Sequence, residues 1–204
     1  MIIYYTHNFG NKKGESHLLL EKAAGRYLAE FCGSAHSIAE EEASRLVAAL
    51  TTQGEFGKPV LPGFAPFSIS HSKGTWAVLI ASGECGLDIQ YARKADVCSI
   101  AKRFYASEDA RAVISSAAGS ENGDRAAEEF FRIWARREAL IKAAGTSVTD
   151  SEVPSVSGSR VWYCGHEYTI SDVKMPGCDA FAAVCIRADC SEEQEPVFFK
   201  LEDE

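Results

Sequence analysis

The chain is short of positive charge: 21 Lys and Arg face 29 Asp and Glu, leaving a formal charge of −8. A body of that sign repels phosphate backbones and anionic bilayers, so neither nucleic acid nor a membrane is expected as the main partner. A small anion remains compatible, because a local group of cations can outweigh the mean field. Long apolar runs are missing too. No stretch reaches the ~18 apolar residues of a membrane span. The opening MIIYYTHNFGNKKGE has no basic segment leading into an apolar one, as a signal peptide would. The seven cysteines (32, 85, 98, 164, 178, 185 and 190) are odd in number and include no C-x-x-C pair, and no His spacing completes a zinc site. That pattern points to a reducing cytoplasm, with the cysteines acting as small buried hydrophobes. No G-x-S-x-G elbow occurs, which disfavours a hydrolase using His71 and a serine.

What is present is that of a folded protein: 204 residues, 46% hydrophobic and 25% charged, enough for one sizeable domain or two small halves. MIIYY reads as a first strand. The spacing of Leu18, Leu19, Ala23, Leu28 and Phe31 predicts a helix over residues 14–32, and a second follows over 37–50. TTQGEFGKPVLPGFAP, dense in Gly and Pro, reads as irregular loop. FSISHS alternates, with Phe67 and Ile69 on one side and Ser68 and Ser70 on the other, as a half-buried strand does. TWAVLIA is a buried strand, SGE a turn, and CGLDIQ a short strand expected to pair back. DVCSIAKRFY and SEDARAVISSA look helical, and residues 115–124 read as a mobile loop of small residues. A helix carrying WARREALIKAAG follows, then two strands, RVWYCGHEYTI and DAFAAVCIRA, and an acidic tail expected to fray. The class is α+β or α/β, with strands and helices in each half.

Four stretches carry chemistry. In WARREALIKAAG, a wheel of about 100° per residue gathers Phe130, Ile133, Trp134, Ile141 and Ala144 on one arc. Arg137 falls near the middle of that arc, and Glu138 lies on its edge. Glu138 and Lys142 stack at i, i+4, where an exposed pair contributes only about 0.3–0.5 kcal/mol. Such a pair leaves Arg137 unexplained, since a buried cation must meet a carboxylate or phosphate, or snorkel. In GLDIQ, Asp88 and Gln90 share one strand face, which is either solvated or a pair of oxygen donors for a hard cation. GKP (57–59) projects Lys58 from a turn. SISHSKG ends a strand in Ser70, His71, Ser72 and Lys73, groups that bind phosphate by charge-assisted hydrogen bonds. A hydrogen-bonded strand-end histidine also accounts for His71. The residues alone lead as far as an anion site with a metal.

The order and spacing GKP…FSISHS…GLDIQ…KRFY…WARREALIKAAG resembles the surfactin-type 4′-phosphopantetheinyl transferases, from about residue 57 to 145. The family pattern is a GKP turn, an F-N-x-S-H-S strand, a G-x-D-[IV]-E strand, an R-F-F segment and a W-x-x-K-E-A helix. The resemblance implies an α+β fold of two pseudo-symmetric halves, each a small sheet packed on helices, divided here as residues 1–92 and 93–204 of one compact unit. It implies a cytoplasmic, monomeric enzyme that moves 4′-phosphopantetheine from coenzyme A to a serine of an apo carrier protein, acyl or peptidyl. The reaction is Mg2+-dependent and releases adenosine 3′,5′-bisphosphate. By the same resemblance Asp88 and Glu138 are Mg2+ ligands, with Gln90 at a third ligand position. Glu138 also deprotonates the incoming serine, and Lys142 steadies the diphosphate. Lys58, Ser70 and His71 contact the coenzyme A phosphates, Lys73 adds positive potential, and Pro59 lies beside the adenine.

The chain departs from the pattern in places. Gln90 stands where the family often has Glu; its amide oxygen can ligate, but one negative charge is missing. Arg137 replaces the usual Lys before the glutamate with a forked, bulkier cation, and Ser68 replaces the usual Asn. The N-terminal arginine that holds the 3′-phosphate has no clear match, with His17 and Arg26 as candidates. The acid of KRFYASED is Glu108 or Asp109. Carrier proteins are usually acidic, so docking is expected at Arg93, Lys94, Lys102 and Arg103, a cluster that a solvated amphipathic helix would also produce. Gln90 and Arg137 motivate a second expectation, a catalytically impaired module that binds coenzyme A or carrier without transfer.

Overall fold

Strands rich in β-branched and aromatic residues and helices rich in alanine alternate along the chain. A computed structural model describes residues 1–33, 35–53, 57–118, 124–147, 152–190 and 195–201. The elements are β1 (Ile2–Thr6), α1 (Glu15–Phe31), α2 (His36–Ala48), β2 (Thr51–Gln53), β3 (Lys58–Val60), β4 (Phe67–Ser72), β5 (Thr75–Ile80) and β6 (Cys85–Gln90). They continue with α3 (Val97–Phe104), α4 (Ser107–Ala118), α5 (Asp124–Ala144), β7 (Arg160–Tyr163), β8 (His166–Lys174), β9 (Phe181–Arg187) and β10 (Val197–Lys200). The first sheet runs β10-β1-β5-β4, the second β6-β9-β8-β7, and β2 and β3 form a separate ribbon. The mixed α+β class, with small sheets packed on helices, is as the sequence led us to expect.

Strand alternation builds the layers. In the first sheet Tyr4, Trp76 and Val78 face Leu20 and Ala23 of α1, while Ile3, Tyr5, Ala77 and Leu79 face the other way. There they meet Leu87, Ile89, Val184 and Ile186 of the second sheet. The opposite face of that second sheet, with Ile170, Ala183 and Cys185, packs on Phe130, Ile133 and Leu140 of α5. The order is therefore helix, sheet, sheet, helix, and β5 is buried on both faces throughout.

The expected pairing of CGLDIQ back onto TWAVLIA does not occur. β6 pairs antiparallel with β9, so the turn after β5 crosses from one sheet to the other. The reason lies in β4, whose outer edge carries hydroxyls that engage β6. Ser68 Oγ accepts from the Leu87 N–H (3.0 Å) and Ser70 Oγ from the Ile89 N–H (3.1 Å). Side chains thus join two edge strands of different sheets. Other expectations are corrected too. The Gly- and Pro-rich loop contains the β2–β3 ribbon. Residues 115–118 belong to α4, and 119–123 lie outside the described residues. RVWYCGHEYTI is two strands, because Cys164 (φ 49°) and Gly165 (φ 80°) supply the left-handed pair a tight hairpin turn requires. The tail does not fray at Val197–Lys200: β10 lies parallel to β1, with Phe199 stacked on Tyr4 at 5.5 Å. A division at residue 92 is crossed by strands in both directions, since β6 enters the second sheet and β10 the first.

One contact sets the distance of α5 from the second sheet. A Cβ at Gly86 would lie 1.9 Å from Ala139 O and 2.7 Å from Ala143 N, so helix backbone rests directly on strand backbone. Gly86→Ala is expected to cost about 1–3 kcal/mol or more through overpacking and to lower Tm accordingly. Unchanged thermal unfolding would show that α5 gives way there freely.

Candidate functional site

Because α5 lies against β6 at Gly86, the residues that follow Arg137 and Ile141 on the helix are held over the same strand face as Asp88. β6 supplies Asp88 and Gln90, α5 supplies Glu138 and Lys142, and β4 supplies Ser70. Asp88 is 3% exposed. Its Oδ1 accepts from Lys142 Nζ at 2.7 Å and from Ser70 Oγ at 3.0 Å, and its Oδ2 from Gln90 Nε2 at 2.9 Å. Lys142 Nζ also donates to Leu87 O (3.0 Å) and Ser70 Oγ (3.3 Å). The Ser70 hydroxyl is saturated, giving its proton to Asp88 and accepting from Ile89 and Lys142. The face of β4 that alternation left open to solvent is thus an interior polar seam.

Glu138 is in a different state from Asp88. Burial first, and then the negative charge of Asp88, push its pKa from 4.5 up to about 7, against the opposing charges of Lys142 and Arg137. Asp88 has hydrogen-bond donors on both oxygens.

Glu138 and Lys142 open into a cavity of about 260 Å3, whose other walls include Lys58, Pro59, Ile69 and Thr146. The Lys58 ammonium is held by the Glu84 carboxylate and by Ala143 O at 3.2 Å. That places it at the C-terminal end of α5, where helix carbonyls favour a cation. Gly145 (φ 66°) ends the helix, and Thr146 N–H closes back on Ile141 O at 3.1 Å. A larger depression of about 630 Å3, lined by Met1, Val173, Lys174 and Phe198 among others, gathers none of the expected residues.

The structure leaves other expected residues outside that cavity wall. His71 is exposed, its ring 5.0 Å from Phe9. Lys73 sits at the β4–β5 turn with φ 52°, its ammonium 4.6 Å from the Tyr91 ring centroid, beside Gln90. Arg26 is committed to Glu30 Oε1 (3.1 Å) and Lys200 O (2.9 Å), so it ties α1 to β10. His17 is exposed on the first turn of α1. Glu108 is exposed, whereas Asp109 is buried and accepts from Ser155 Oγ (2.6 Å) and Val156 N–H (3.0 Å). Arg93, Lys94, Lys102 and Arg103 are all exposed, on the segment after β6 and the last turn of α3.

Arg137 is 5% exposed, as its place on the apolar arc required. Sequence reasoning missed Arg136, which is equally buried. Its guanidinium donates to Val156 O (2.6 Å) and Gly158 O and pairs with Asp172 (3.1 Å). Its spacing from Ile133 and Leu140, three and four residues away, was the available signal. Glu84, the partner of Lys58, had none in the sequence.

Among the described residues no group of three or more His, Cys, Asp or Glu gathers. A cation here would rest on the Asp88 and Glu138 carboxylates and the Gln90 amide. That donor set fits Mg2+, which takes one or two carboxylates and completes its shell with phosphate oxygens and water. No helix among the described residues is long and apolar enough to cross a membrane.

Comparison with known proteins gives a concordant result. Residues 84–159 match the family model of the 4′-phosphopantetheinyl transferase superfamily. Over 111 residues the chain is 34% identical to the 4′-phosphopantetheinyl transferase AcpT of Salmonella typhimurium, covering 50% of this chain and 55% of that protein. Over 102 residues it is 33% identical to the 4′-phosphopantetheinyl transferase psf-1 of Bacillus pumilus, covering 48% and 40%. Over 98 residues it is 32% identical to a 4′-phosphopantetheinyl transferase of Bacillus subtilis, covering 47% and 41%. The chain thus spans about half the length, or less, of these curated relatives.

The state of Glu138 has a measurable consequence. With its folded pKa raised to about 7, the native protein keeps a proton that the unfolded chain releases near 4.5. The stabilising contribution is therefore present below about pH 4.5 and lost as pH rises through about 7. In EDTA, Glu138→Gln is expected to gain Tm over the wild type progressively across that window and to keep the gain at higher pH. A constant Tm difference across the window would show that this carboxyl titrates normally.

Proposed function

We propose that this chain, whose residues 84–159 match the family model of the 4′-phosphopantetheinyl transferase superfamily, moves 4′-phosphopantetheine from coenzyme A to a serine hydroxyl of an apo acyl or peptidyl carrier protein. Adenosine 3′,5′-bisphosphate is the leaving group. The observation that carries the reading is the convergence of Asp88, Glu138, Lys142 and Lys58 at the β6–α5 contact. Glu138, Lys142 and Lys58 line one cavity there, and Lys142 also pairs with the buried Asp88.

Transfer of this kind is helped chiefly by positioning and by neutralising phosphate charge. Lys58 and Lys142 supply two cations at the cavity wall of a protein that is otherwise acidic. Ser70, His71 and Lys73, outside the cavity wall, would contact coenzyme A phosphates beyond it, and Pro59 offers a flat apolar surface to the adenine. Asp88, Glu138 and the Gln90 amide oxygen would hold Mg2+, which supplies charge neutralisation at the coenzyme A diphosphate. A Glu138 carboxyl with a pKa of about 7 is matched to accept the serine proton near neutrality. That value belongs to the protein without metal, and a cation on the same carboxylate would lower it. The carrier, acidic by class, would dock at Arg93, Lys94, Lys102 and Arg103. We read residues 1–92 and 93–204 as two halves of one monomeric unit that exchange β6 and β10. A reducing cytoplasm suits Cys85 and Cys185, thiols buried in the core whose acidity burial suppresses, that of Cys85 to a pKa of about 12.

The test is purified protein with coenzyme A, Mg2+ and a panel of apo carriers, read by intact mass. A phosphopantetheine increment on at least one carrier is expected; none on any carrier, with coenzyme A still bound, would replace the enzyme with a binding module. Asp88→Ala and Glu138→Ala are each expected to lower transfer by about 100-fold or more while circular dichroism stays unchanged. Full activity of either with Mg2+ would remove that residue from the site. Reversing Lys102 and Arg103 to Glu is expected to slow modification and flatten its salt dependence. An unchanged salt profile would place docking elsewhere.

A further inference from the structure

Lys142 is bound more completely than a lysine reaching for a phosphate needs to be. Its ammonium has three donors, and three oxygens take them: Asp88 Oδ1 at 2.7 Å, Leu87 O at 3.0 Å and Ser70 Oγ at 3.3 Å. This is the kind of oxygen cage that a small hard cation seeks. Asp88 is 3% exposed, and the cation seated on its Oδ1 in this structure is the Lys142 ammonium.

Building on the proposed metal site, we infer that Lys142 is the resident counter-cation of Asp88 in the metal-free protein and that a divalent cation displaces its ammonium toward the anionic substrate. An ammonium at 2.7 Å from Oδ1 and a divalent ion on the same carboxylate are like charges within a few ångströms, in a partly desolvated place. They do not share the position. Lys142 has somewhere to go: its side chain is 31% exposed and lines the cavity that Lys58 also lines. Its four-carbon stem swings without moving α5, which the Gly86 contact fixes. An anion in the cavity draws the ammonium off Asp88 and opens the place for the metal, and metal binding offers the ammonium to the anion. The two affinities are linked, reciprocally, through one side chain.

The experiment uses Mn2+ as the probe on the full chain without coenzyme A. Binding is followed by electron paramagnetic resonance for wild type and Lys142→Met, and the wild type is crystallised with Mn2+. Lys142→Met is expected to bind Mn2+ about tenfold tighter or more, the resident charge being gone. In the Mn2+ crystal, Lys142 Nζ is expected beyond hydrogen-bond reach of Asp88 Oδ1. Equal or weaker binding by Lys142→Met overturns the inference, as does a metal bound with Nζ still on Oδ1. Neither result touches the transferase reading. If only the variant binds Mn2+ alone, the inference stands, since the ammonium is then what bars the metal. If wild type binds no Mn2+ even with coenzyme A present, the metal site itself fails, and this inference with it.

Discussion

At Gly86 a helix rests on a strand with no side chain between them, and the placement of every charged group in the site follows from that approach. A strand residue with a Cβ would hold α5 off, and Glu138 and Lys142 would no longer stand over Asp88. The same closeness makes the charges interdependent. Lys142, Ser70 and Gln90 all donate to Asp88. Glu138, a short way along the same helix, has its pKa raised to about 7 by burial and then by the charge of Asp88.

The seam between β4 and β6 is the second constraint. Edge strands of two sheets meet there, and serine hydroxyls take the N–H groups of Leu87 and Ile89 that neither sheet's own ladder uses on that side. Ser70 belongs to both the scaffold and the site, since the hydroxyl that anchors β6 also touches Asp88 and Lys142. A bulkier side chain, such as the Asn usual at position 68, would meet the seam differently; here Ser68 Oγ is short enough to reach the Leu87 N–H.

Around this centre, other charged groups tie the chain together. Arg136 and Asp109 both grip residues 155–158, the connection between α5 and β7, through carbonyls, an N–H and a hydroxyl. Arg26 braces α1 against the end of β10. Buried charge in this protein therefore does two jobs. It pins irregular chain where backbone groups need partners, and at the α5–β6 contact it is gathered around a cavity instead.

Much was legible in the sequence because it depends only on local periodicity. Helical spacing put Arg137 on the buried arc and Glu138 and Lys142 one turn apart, and strand alternation put Asp88 and Gln90 on one face. The motif order carried the family resemblance. Pairing was not legible: CGLDIQ follows TWAVLIA across a tight turn and still joins β9. That choice rests on hydroxyl donors and acceptors along β4 and on buried faces supplied by residues about a hundred positions away. Arg136 and Glu84 escaped for a related reason, since their partners lie 20 or more residues distant. The sequence alone determined which side chains share a face of each element, because that is set by backbone geometry within a few residues. Only the tertiary structure decided which faces meet and that the Glu138 pKa is raised, because burial and charge proximity are properties of packed elements rather than of neighbours in the chain.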